Sequence, residues 1–346
     1  MSMDNTVNGF KMGIVDFEIY LPEQYITAEE LAPKVNIPAE ILKTKFGFDR
    51  KTLGGPDDHS ITMATKAAKR LIERNNIDLN EIDLILYTGE EIKEYFCYTG
   101  ALKVQKDLGI SNEKCWGFDV MYRCAATGLG LKVAKEMMMC NDDINTILYV
   151  GGNENGNLIQ YDDPNSAFMF DMCPSGHAAI LKKGYDKNLV LGSGIHVEPS
   201  MVDDVVCTYW GTKNKIPREV YEADKYAYVY VTDPEGMKQR LAAAGLKPWT
   251  NAVDKALKNS GLTRADLGFF ANVHIKPSAH KAIMRELGMP EGSDEYLQQY
   301  GHTGHTDQWL SLKLGLESGK VKPGTIVCFL GAGTGYAFTS SIIRWG

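Results

Sequence analysis

The sequence lacks the features of a membrane protein and of a nucleic-acid-binding protein. No uninterrupted apolar run approaches the roughly 18 residues that a membrane-spanning helix needs, and the opening MSMDNTVNGFKMG lacks the basic-then-apolar order of a signal peptide. Positive charge is not in excess: the formal net charge is -7, and Lys and Arg are scattered along the chain. We therefore expect a cytoplasmic protein that binds neither a membrane nor nucleic acid.

Cysteine is present, but without a disulfide or metal-binding pattern. The seven cysteines form an odd set that contains no Cys-x-x-Cys pair, which argues against a disulfide framework and against a zinc site. We expect reduced thiols and no bound metal. Since a buried cysteine is usually a small hydrophobic residue, a functional cysteine has to be identified from its surroundings.

Apolar runs typical of strands alternate with amphipathic helical stretches along almost the whole chain, which predicts an α/β fold. The same order occurs twice. The matching segments are a helix at 60–76 and strands at 82–87, 147–152 and 177–181, and then a helix at 249–260 and strands at 267–273, 327–331 and 336–344. This pattern predicts an internal duplication with halves 1–185 and 186–346. Residues 198–235 match neither half and are predicted to be an insertion or a lid over a site.

Residues 116–134, WGFDVMYRCAATGLGLKVA, predict a strand, then Cys124, then a helix that begins with small residues. A thiol at the N-terminus of a helix has a lowered pKa and is more reactive, because the helix dipole favours the thiolate. The small residues Ala125, Ala126 and Gly128 allow a substrate carbonyl to approach backbone N–H groups. From these residues alone, both a nucleophile and a cysteine packed in a tight turn fit the pattern.

The string FDVMYRCAATGLGL resembles the active-site segment of the β-ketoacyl-acyl-carrier-protein synthase III enzymes of the thiolase superfamily. Three further segments resemble that family in order: MGIVDFEIYLPEQYITAEEL, KFGFDRK around Gly47 and Arg50, and FLGAGTGYAFTSSIIRW at the C-terminus. The resemblance implies a thiolase-like α/β fold in which two β-α-β-α-β-α-β-β halves form a five-layered αβαβα domain. It also implies an active site between the halves, Cys124 as the nucleophile, and a homodimer.

Two histidine segments extend the resemblance. ANVHIKPSAHK is similar in position to the family's Pro-His-Gln-Ala-Asn segment, which implies a catalytic role for His274. QYGHTGHTDQWLSLKLGL resembles the family's Tyr-Gly-Asn-Thr-Ser segment, with His302 in place of the usual asparagine and His305 as the alternative. The resemblance therefore implies a Cys-His-His set, similar to that of the elongating condensing enzymes, in which both histidines donate hydrogen bonds to an enolate.

The glycine-rich GAGTG at 331–335 has a nucleotide-binding and a catalytic interpretation. A dinucleotide fingerprint needs a helix after the glycines, whereas YAFTSSIIRW predicts a strand. The resemblance instead implies that the backbone N–H groups of Gly331 and Gly333, together with that of Cys124, form an oxyanion hole.

The chain departs from the family pattern at two places. MCPSGHAA stands where the family commonly has Gly-Asp-Gly-Ala-Gly-Ala, so we interpret Cys173 and His177 as altered packing near the site. Glu90 lies close to the position of the catalytic glutamate of the hydroxymethylglutaryl-CoA synthases, although the Thr88-Gly89 order is reversed. The alternative for Glu90 is an ordinary surface acid.

The function implied by the resemblance is acyl transfer followed by decarboxylative Claisen condensation. Cys124 takes an acyl group from acyl-CoA, and malonyl-CoA or malonyl-acyl carrier protein then supplies the carbanion, with no metal or other cofactor. Three alternatives remain: a non-condensing acyltransferase or thioesterase, a condensation like that of hydroxymethylglutaryl-CoA synthase, and a silent partner subunit.

Overall fold

The computed structural model describes residues 9–207, 211–213 and 228–346. The strands in these residues are β1 (Met12–Tyr20), β2 (Gln24–Thr27), β3 (Arg50–Leu53), β4 (Leu84–Gly89), β5 (Trp116–Met121), β6 (Thr146–Asn153), β7 (Ser175–Lys183), β8 (Leu189–Val197), β9 (Val205–Cys207), β10 (Val229–Val231), β11 (Phe269–Asn272), β12 (Ile326–Gly333) and β13 (Ala337–Arg344). The helices are α1 (Ala28–Val35), α2 (Ala39–Ile41), α3 (Ser60–Asn75), α4 (Gly100–Leu108), α5 (Ala126–Cys140), α6 (Pro234–Ala244), α7 (Lys247–Ser260), α8 (Pro277–Leu287) and α9 (Asp307–Glu317).

Nine of the described strands form one sheet in the order β11-β12-β13-β8-β1-β7-β6-β4-β5. Strand β4 pairs in parallel with β5 and β6, and β11 pairs in parallel with β12, whereas the other neighbours are antiparallel. Strands β1 and β8 pair only at Gly13 and Leu189. The sheet therefore consists of a five-strand part from the first half of the chain and a four-strand part from the second half, joined at one residue pair.

Alternation along the strands explains the layers, because successive side chains of a strand point to opposite faces. In β4, Leu84 and Leu86 join a central cluster with residues of α5 and α9, whereas Ile85 and Tyr87 join a second cluster with α3. A third cluster packs α7 and α8 against the second part of the sheet. Helices thus lie outside both parts of the sheet and between them, which confirms the predicted five-layered α/β fold. Each large apolar side chain buried in this way contributes roughly 1.5–3 kcal/mol.

The two halves are similar in order but not identical. The first half follows β1-α3-β4-α4-β5-α5-β6-β7, which is the predicted order. In the second half the strand expected between α8 and α9 is reduced to a single parallel bridge between Phe270 and Asp294. The segment GMPEGSDE has no alternating apolar pattern, and Pro290 and the left-handed Gly292 (φ 82°) interrupt an extended conformation. The second half is therefore the predicted repeat with its third strand lost.

The predicted insertion at 198–235 is described only in part. Strands β9 and β10 pair with each other in antiparallel fashion, and α6 begins at the end of the segment. Residues 208–210 and 214–227 lie outside the described residues. The strand β7 ends at Lys183 and β8 begins at Leu189, and the division of the chain at 185–186 stays a prediction. None of the helices in the described ranges combines the length and the hydrophobicity that a membrane span requires.

Candidate active site

Cys124 lies in the turn between β5 and α5, which confirms the predicted order of strand, cysteine and helix. The turn is a 3₁₀ helix over Arg123–Ala125, and α5 begins at Ala126. Arg123 has a left-handed backbone with a φ of 54°, which is uncommon for a residue other than glycine. This sharp turn puts the thiol at the N-terminus of α5, and Cys124 is buried with 6% of its surface exposed.

His302 is held by a carboxylate that sequence analysis did not single out. The Nδ1 atom of His302 lies 2.5 Å from Oδ2 of Asp307, the first residue of α9. The same Oδ2 accepts a hydrogen bond from the backbone N–H of His274 at 2.7 Å. The other oxygen, Oδ1, accepts from the backbone N–H and the hydroxyl of Thr303, both at 2.7 Å. Asp307 is fully buried and connects the segments that carry the two predicted catalytic histidines.

The charges of these groups are coupled. Burial disfavours a charged His302, but Asp307 and the Cys124 thiol raise the pKa of its imidazole well above the usual value. Although burial opposes ionisation of Asp307, His302 keeps the pKa of that carboxyl below its usual range. Burial raises the pKa of the Cys124 thiol, and the charge of His302 and its hydrogen bond to the thiol oppose that rise. Cys124, His302 and Asp307 therefore form one chain of interacting groups.

His274 follows β11 and has a different environment. Its side chain has no exposed surface, and its Nε2 atom lies 3.4 Å from Oδ2 of Asp171. The ring packs against the ring of Tyr296, with centroids 4.9 Å apart. Burial lowers the pKa of His274 to about 3, so this imidazole is neutral.

Glu90 is buried beside the thiol, so its interpretation as an ordinary surface acid is wrong. The residue follows β4 directly, is 8% exposed, and has Oε1 at 3.9 Å from Sγ of Cys124. Burial, and then the negative charge of Glu91, raise the pKa of Glu90 to about 7, against opposing contributions from Arg123, Asn155 and His302. A carboxyl group that titrates near neutral pH is suited to proton transfer.

His305, His177 and Cys173 have other partners. The buried ring of His305 packs against that of His177 with centroids 5.1 Å apart, and His177 contacts the hydroxyl of Thr306 at 3.0 Å. The Cys173 thiol donates to the carbonyl of Tyr300 at 3.2 Å, and burial raises its pKa to about 11. The structure thus brings Cys124, Glu90 and His302 together, whereas His305 lies in the core beside His177.

The glycine-rich segment 331–335, here called the glycine loop, begins in the last three residues of β12 and packs directly on the nucleophile turn. A Cβ atom added to Gly331 would lie 2.9 Å from the carbonyl oxygen of Cys124, and one added to Gly333 would lie 2.8 Å from that of Tyr122. Only glycine allows so close an approach. A strand, β13, follows the loop, as predicted, and the oxyanion hole at these glycines stays a prediction.

Cys124 belongs to a cluster of buried apolar side chains. Its buried members include Phe48, Ile159, Met169, Phe170, Met172, Val205 and Val273. No group of three or more His, Cys, Asp or Glu residues suited to a metal ion occurs in the described part of the chain.

Asp171, Lys51 and Asp307 were missed by sequence analysis. Lys51 is 1% exposed and donates to the carbonyl of Met172 at 2.8 Å and to the Tyr161 hydroxyl at 2.7 Å. An aspartate at the start of a helix is common because it favours the helix dipole, so Asp307 did not stand out as a site residue. Its spacing of five residues from His302, in HTGHTD, was the only hint in the sequence.

Two family models match the chain. A model described as 3-oxoacyl-[acyl-carrier-protein] synthase III matches residues 118–199, and a model for the C-terminal part of the same enzymes matches residues 257–345. A β-ketoacyl-[acyl-carrier-protein] synthase III of Coxiella burnetii is 24% identical over 327 residues, which cover 94% of this chain and 96% of the relative. The matched ranges contain Cys124, His274 and His302.

Solved structures share the fold. A 3-oxoacyl-[acyl-carrier-protein] synthase III from Aquifex aeolicus superposes with a TM-score of 0.82 at 18% identity, covering 96% of this chain and all of the other. Xanthomonas campestris OleA, in a structure with bound lauric acid and lauroyl-CoA, superposes with a TM-score of 0.80 at 18% identity, covering 97% of this chain and 99% of the other. Both similarities extend over essentially the whole chain.

Proposed function

Because the chain belongs to the thiolase superfamily, as a relative of the β-ketoacyl-acyl-carrier-protein synthase III enzymes, we propose that it is a condensing acyltransferase. Cys124 takes the acyl group from acyl-CoA, and a malonyl thioester on CoA or acyl carrier protein is the second substrate. The observation that carries this proposal is a buried thiol at the N-terminus of α5, next to a half-buried His302 and a buried Glu90 and surrounded by apolar side chains.

In the first half-reaction the sulfur of Cys124 attacks the carbonyl carbon of the acyl-CoA thioester. The bond from that carbon to the CoA sulfur breaks, and CoA leaves as a thiol after taking up the proton that Cys124 lost. The developing oxyanion accepts hydrogen bonds from the backbone N–H groups of Cys124, Gly331 and Gly333. The close packing of the glycine loop on the cysteine turn supports this assignment.

In the second half-reaction the malonyl thioester loses CO₂, and the electron pair of the broken C–C bond forms an enolate. His274 and His302 stabilise the enolate oxygen by hydrogen bonding. The carbanion attacks the carbonyl carbon of the acyl-cysteine, and the C–S bond breaks with its electron pair left on the Cys124 sulfur. A β-ketoacyl thioester leaves, and the Cys124 thiolate takes up a proton from solvent. Each bond change uses only side chains, solvent protons and the two thioesters, so the proposed reaction needs no cofactor.

The position of Glu90 favours a second candidate, a condensation in which an acyl thioester loses a proton instead of CO₂, as in hydroxymethylglutaryl-CoA synthases. Glu90 lies 3.9 Å from the Cys124 sulfur, and its pKa is raised to about 7. A general base with a pKa near the working pH combines the ionised form with adequate basicity.

We also propose a homodimer and a cytoplasmic location. The strand β5 is an edge of the sheet, and an unpaired edge invites pairing with a second chain. Large exposed apolar side chains are Trp116 on β5 and Leu102 on α4, which packs against β5. All seven cysteines are unpaired, as is usual in a reducing compartment.

Intact-mass spectrometry after incubation with a panel of short and long acyl-CoAs tests the proposal. We expect one acyl adduct in the wild type and none in Cys124→Ala. A change from Cys to Ala removes one buried atom and should leave the fold intact. Addition of a malonyl thioester should then release the acyl group as a β-ketoacyl product. Transfer to water, an alcohol or an amine would support the acyltransferase or thioesterase alternative, and no adduct with any acyl-CoA would support the silent subunit.

A further inference from the structure

Asp307 occupies a central position in the site, yet the proposed reaction gives it no role. Its carboxylate accepts four hydrogen bonds: from the His302 ring, from the His274 backbone, and from the backbone and hydroxyl of Thr303. Three of these donors hold the carboxylate in place: the backbone N–H groups of His274 and Thr303, and the Thr303 hydroxyl. The remaining donor is the ring of His302, and among the described residues this is the only ring that hydrogen-bonds to the carboxylate.

We infer that Asp307 is a positioning residue that makes His302 the proton acceptor of Cys124, so that acylation uses a Cys-His-Asp set. The inference rests on the proposed role of Cys124 as nucleophile. It differs from the expectation drawn from the sequence, in which His302 and His274 had equivalent roles as donors to the enolate.

The tautomer of His302 follows from its hydrogen bond. Because an ionised Asp307 can only accept, the proton on Nδ1 of His302 points to Oδ2, and in the neutral ring Nε2 carries the lone pair. Burial raises the pKa of the Cys124 thiol, and the His302 side chain lowers it through its charge and its hydrogen bonding. A hydrogen bond from the second ring nitrogen to a carboxylate is the usual way to orient a catalytic histidine and to increase its basicity.

The proton transfers balance over the first half-reaction. As the Cys124 sulfur bonds to the acyl carbon, the thiol proton moves to Nε2 of His302, and the resulting imidazolium lies beside the Asp307 carboxylate. As the bond between the acyl carbon and the CoA sulfur breaks, the proton moves from Nε2 to that sulfur. The products are acyl-Cys124 and CoA thiol, with His302 neutral again. Although burial opposes it, Asp307 keeps the pKa of His302 well above the usual value, so Nε2 takes up a proton from solvent before it donates to the enolate. His274 is a poorer acceptor, because burial lowers its pKa to about 3.

The test measures the thiol without any acyl-CoA, so its outcome is separate from that of the proposed function. Alkylation of Cys124 by iodoacetamide is followed by mass spectrometry between pH 5 and 10, since the thiolate is the reactive form. In Asp307→Asn the amide donates to Nδ1, which leaves the proton on Nε2 and removes the acceptor for the thiol. We expect alkylation at pH 7 to slow by about tenfold or more, with the midpoint of the profile at higher pH.

A second His–Asp pair provides a matched control. His280 Nε2 lies 2.8 Å from Oδ2 of Asp294, without a thiol in the pair. Asp294→Asn should leave the alkylation profile unchanged, and thermal unfolding should verify that each variant is folded. A wild-type profile in a folded Asp307→Asn would overturn the inference.

The variant His302→Asn distinguishes an effect of Asp307 through the His302 ring from an effect of Asp307 on the fold. Alone it should slow alkylation about as much as Asp307→Asn, and the double variant should be no slower than His302→Asn. A further loss in the double variant would mean that Asp307 acts on the fold and not through His302. If Asp307→Asn does not fold, a wild-type profile in His302→Asn is by itself sufficient to overturn the inference.

Discussion

The Nε2 atom of His274 lies 3.4 Å from Oδ2 of Asp171, and both residues are buried in the candidate active site. Among the described residues, both ring nitrogens of His274 lack a hydrogen-bond partner of normal geometry. The same holds for Oδ1 of Asp171. Burial raises the pKa of Asp171 to about 6. A charged group that is buried without sufficient partners lowers the stability of the folded state, so the ionised form of Asp171 is expected to destabilise the protein.

We predict that Asp171→Asn stabilises the protein at pH 8. The folded state binds the Asp171 proton more tightly than the unfolded state, so stability falls as the pH rises from the ordinary pKa of 3.8 to about 6. Above about pH 6 the full cost is present. A shift of about two pKa units corresponds to a gain of up to about 3 kcal/mol in the free energy of unfolding of the variant.

Urea unfolding of both proteins at pH 4, 6 and 8 measures this gain, which should shrink towards zero at pH 4. Asp307→Asn should instead lower the free energy of unfolding at pH 8. The pKa of Asp307 is lowered in the folded state, so its ionised form stabilises the protein. A variant Asp171→Asn that is less stable than the wild type at pH 8 would contradict the prediction.

The glycine loop should be intolerant of side chains next to Cys124. In Gly331→Ala the new Cβ would lie 2.9 Å from both the Cys124 carbonyl oxygen and Nε2 of Gln308, so the turn or the loop has to shift. We predict that the rate of acyl-enzyme formation falls by roughly 10²-fold, as when one oxyanion donor is lost. Gly156→Ala is the control, because its Cβ would approach no described atom closer than 3.6 Å. Equal rates in Gly331→Ala and wild type would remove Gly331 from the oxyanion hole.

Local features of the site could be predicted from the sequence, and long-range contacts could not. The nucleophile turn is local, because its apolar strand, small residues and helix lie within 116–134. The carboxylate of Asp307 contacts the backbone of a residue 33 positions earlier, His274, and only the fold brings them together. Glu90 required the same information, since a short polar segment after a strand can be buried or exposed. The family pattern also could not reveal the missing strand near Asp294, which depends on the Pro290 and Gly292 of this chain.

The open edge at β5 predicts a dimer that a single charge can weaken. Leu102 is 52% exposed and Trp116 is 45% exposed at this edge. We predict that Leu102→Lys or Trp116→Lys raises the dimer dissociation constant by roughly 10²-fold, because a charge buried without a partner is unfavourable. Light scattering coupled to size-exclusion chromatography gives the mass. Leu241→Lys in α6, at a residue 41% exposed, should have no effect. A wild type that is monomeric at micromolar concentration would exclude this dimer.

The carbanion can form by loss of a proton or by loss of CO₂, and only the loss of a proton requires Glu90 as a base. If Glu90 removes a proton from the second thioester, acetyl-CoA should exchange its methyl hydrogens with D₂O in the presence of the enzyme. Exchange should then rise with pH through about 7, where Glu90 ionises. We predict that Glu90→Gln lowers this exchange by about 10²–10⁴-fold, the usual contribution of a general base. Decarboxylation of a malonyl thioester needs no base, so it should survive the substitution.

The rate of Cys124 acylation distinguishes the role of Glu90 as a base from an effect of Glu90 on the thiol. Burial and, to a lesser extent, the negative charge of Glu90 raise the pKa of Cys124, so Glu90→Gln should acylate at neutral pH at least as fast as the wild type. Glu136→Gln is the control, because the side chain of this acid in α5 is 56% exposed and pairs with Lys132. A parallel loss of acylation and exchange in Glu90→Gln would mean that Glu90 acts on Cys124 or on the fold. Malonyl decarboxylation without any exchange in the wild type would leave decarboxylative condensation as the reaction, with Glu90 outside its chemistry.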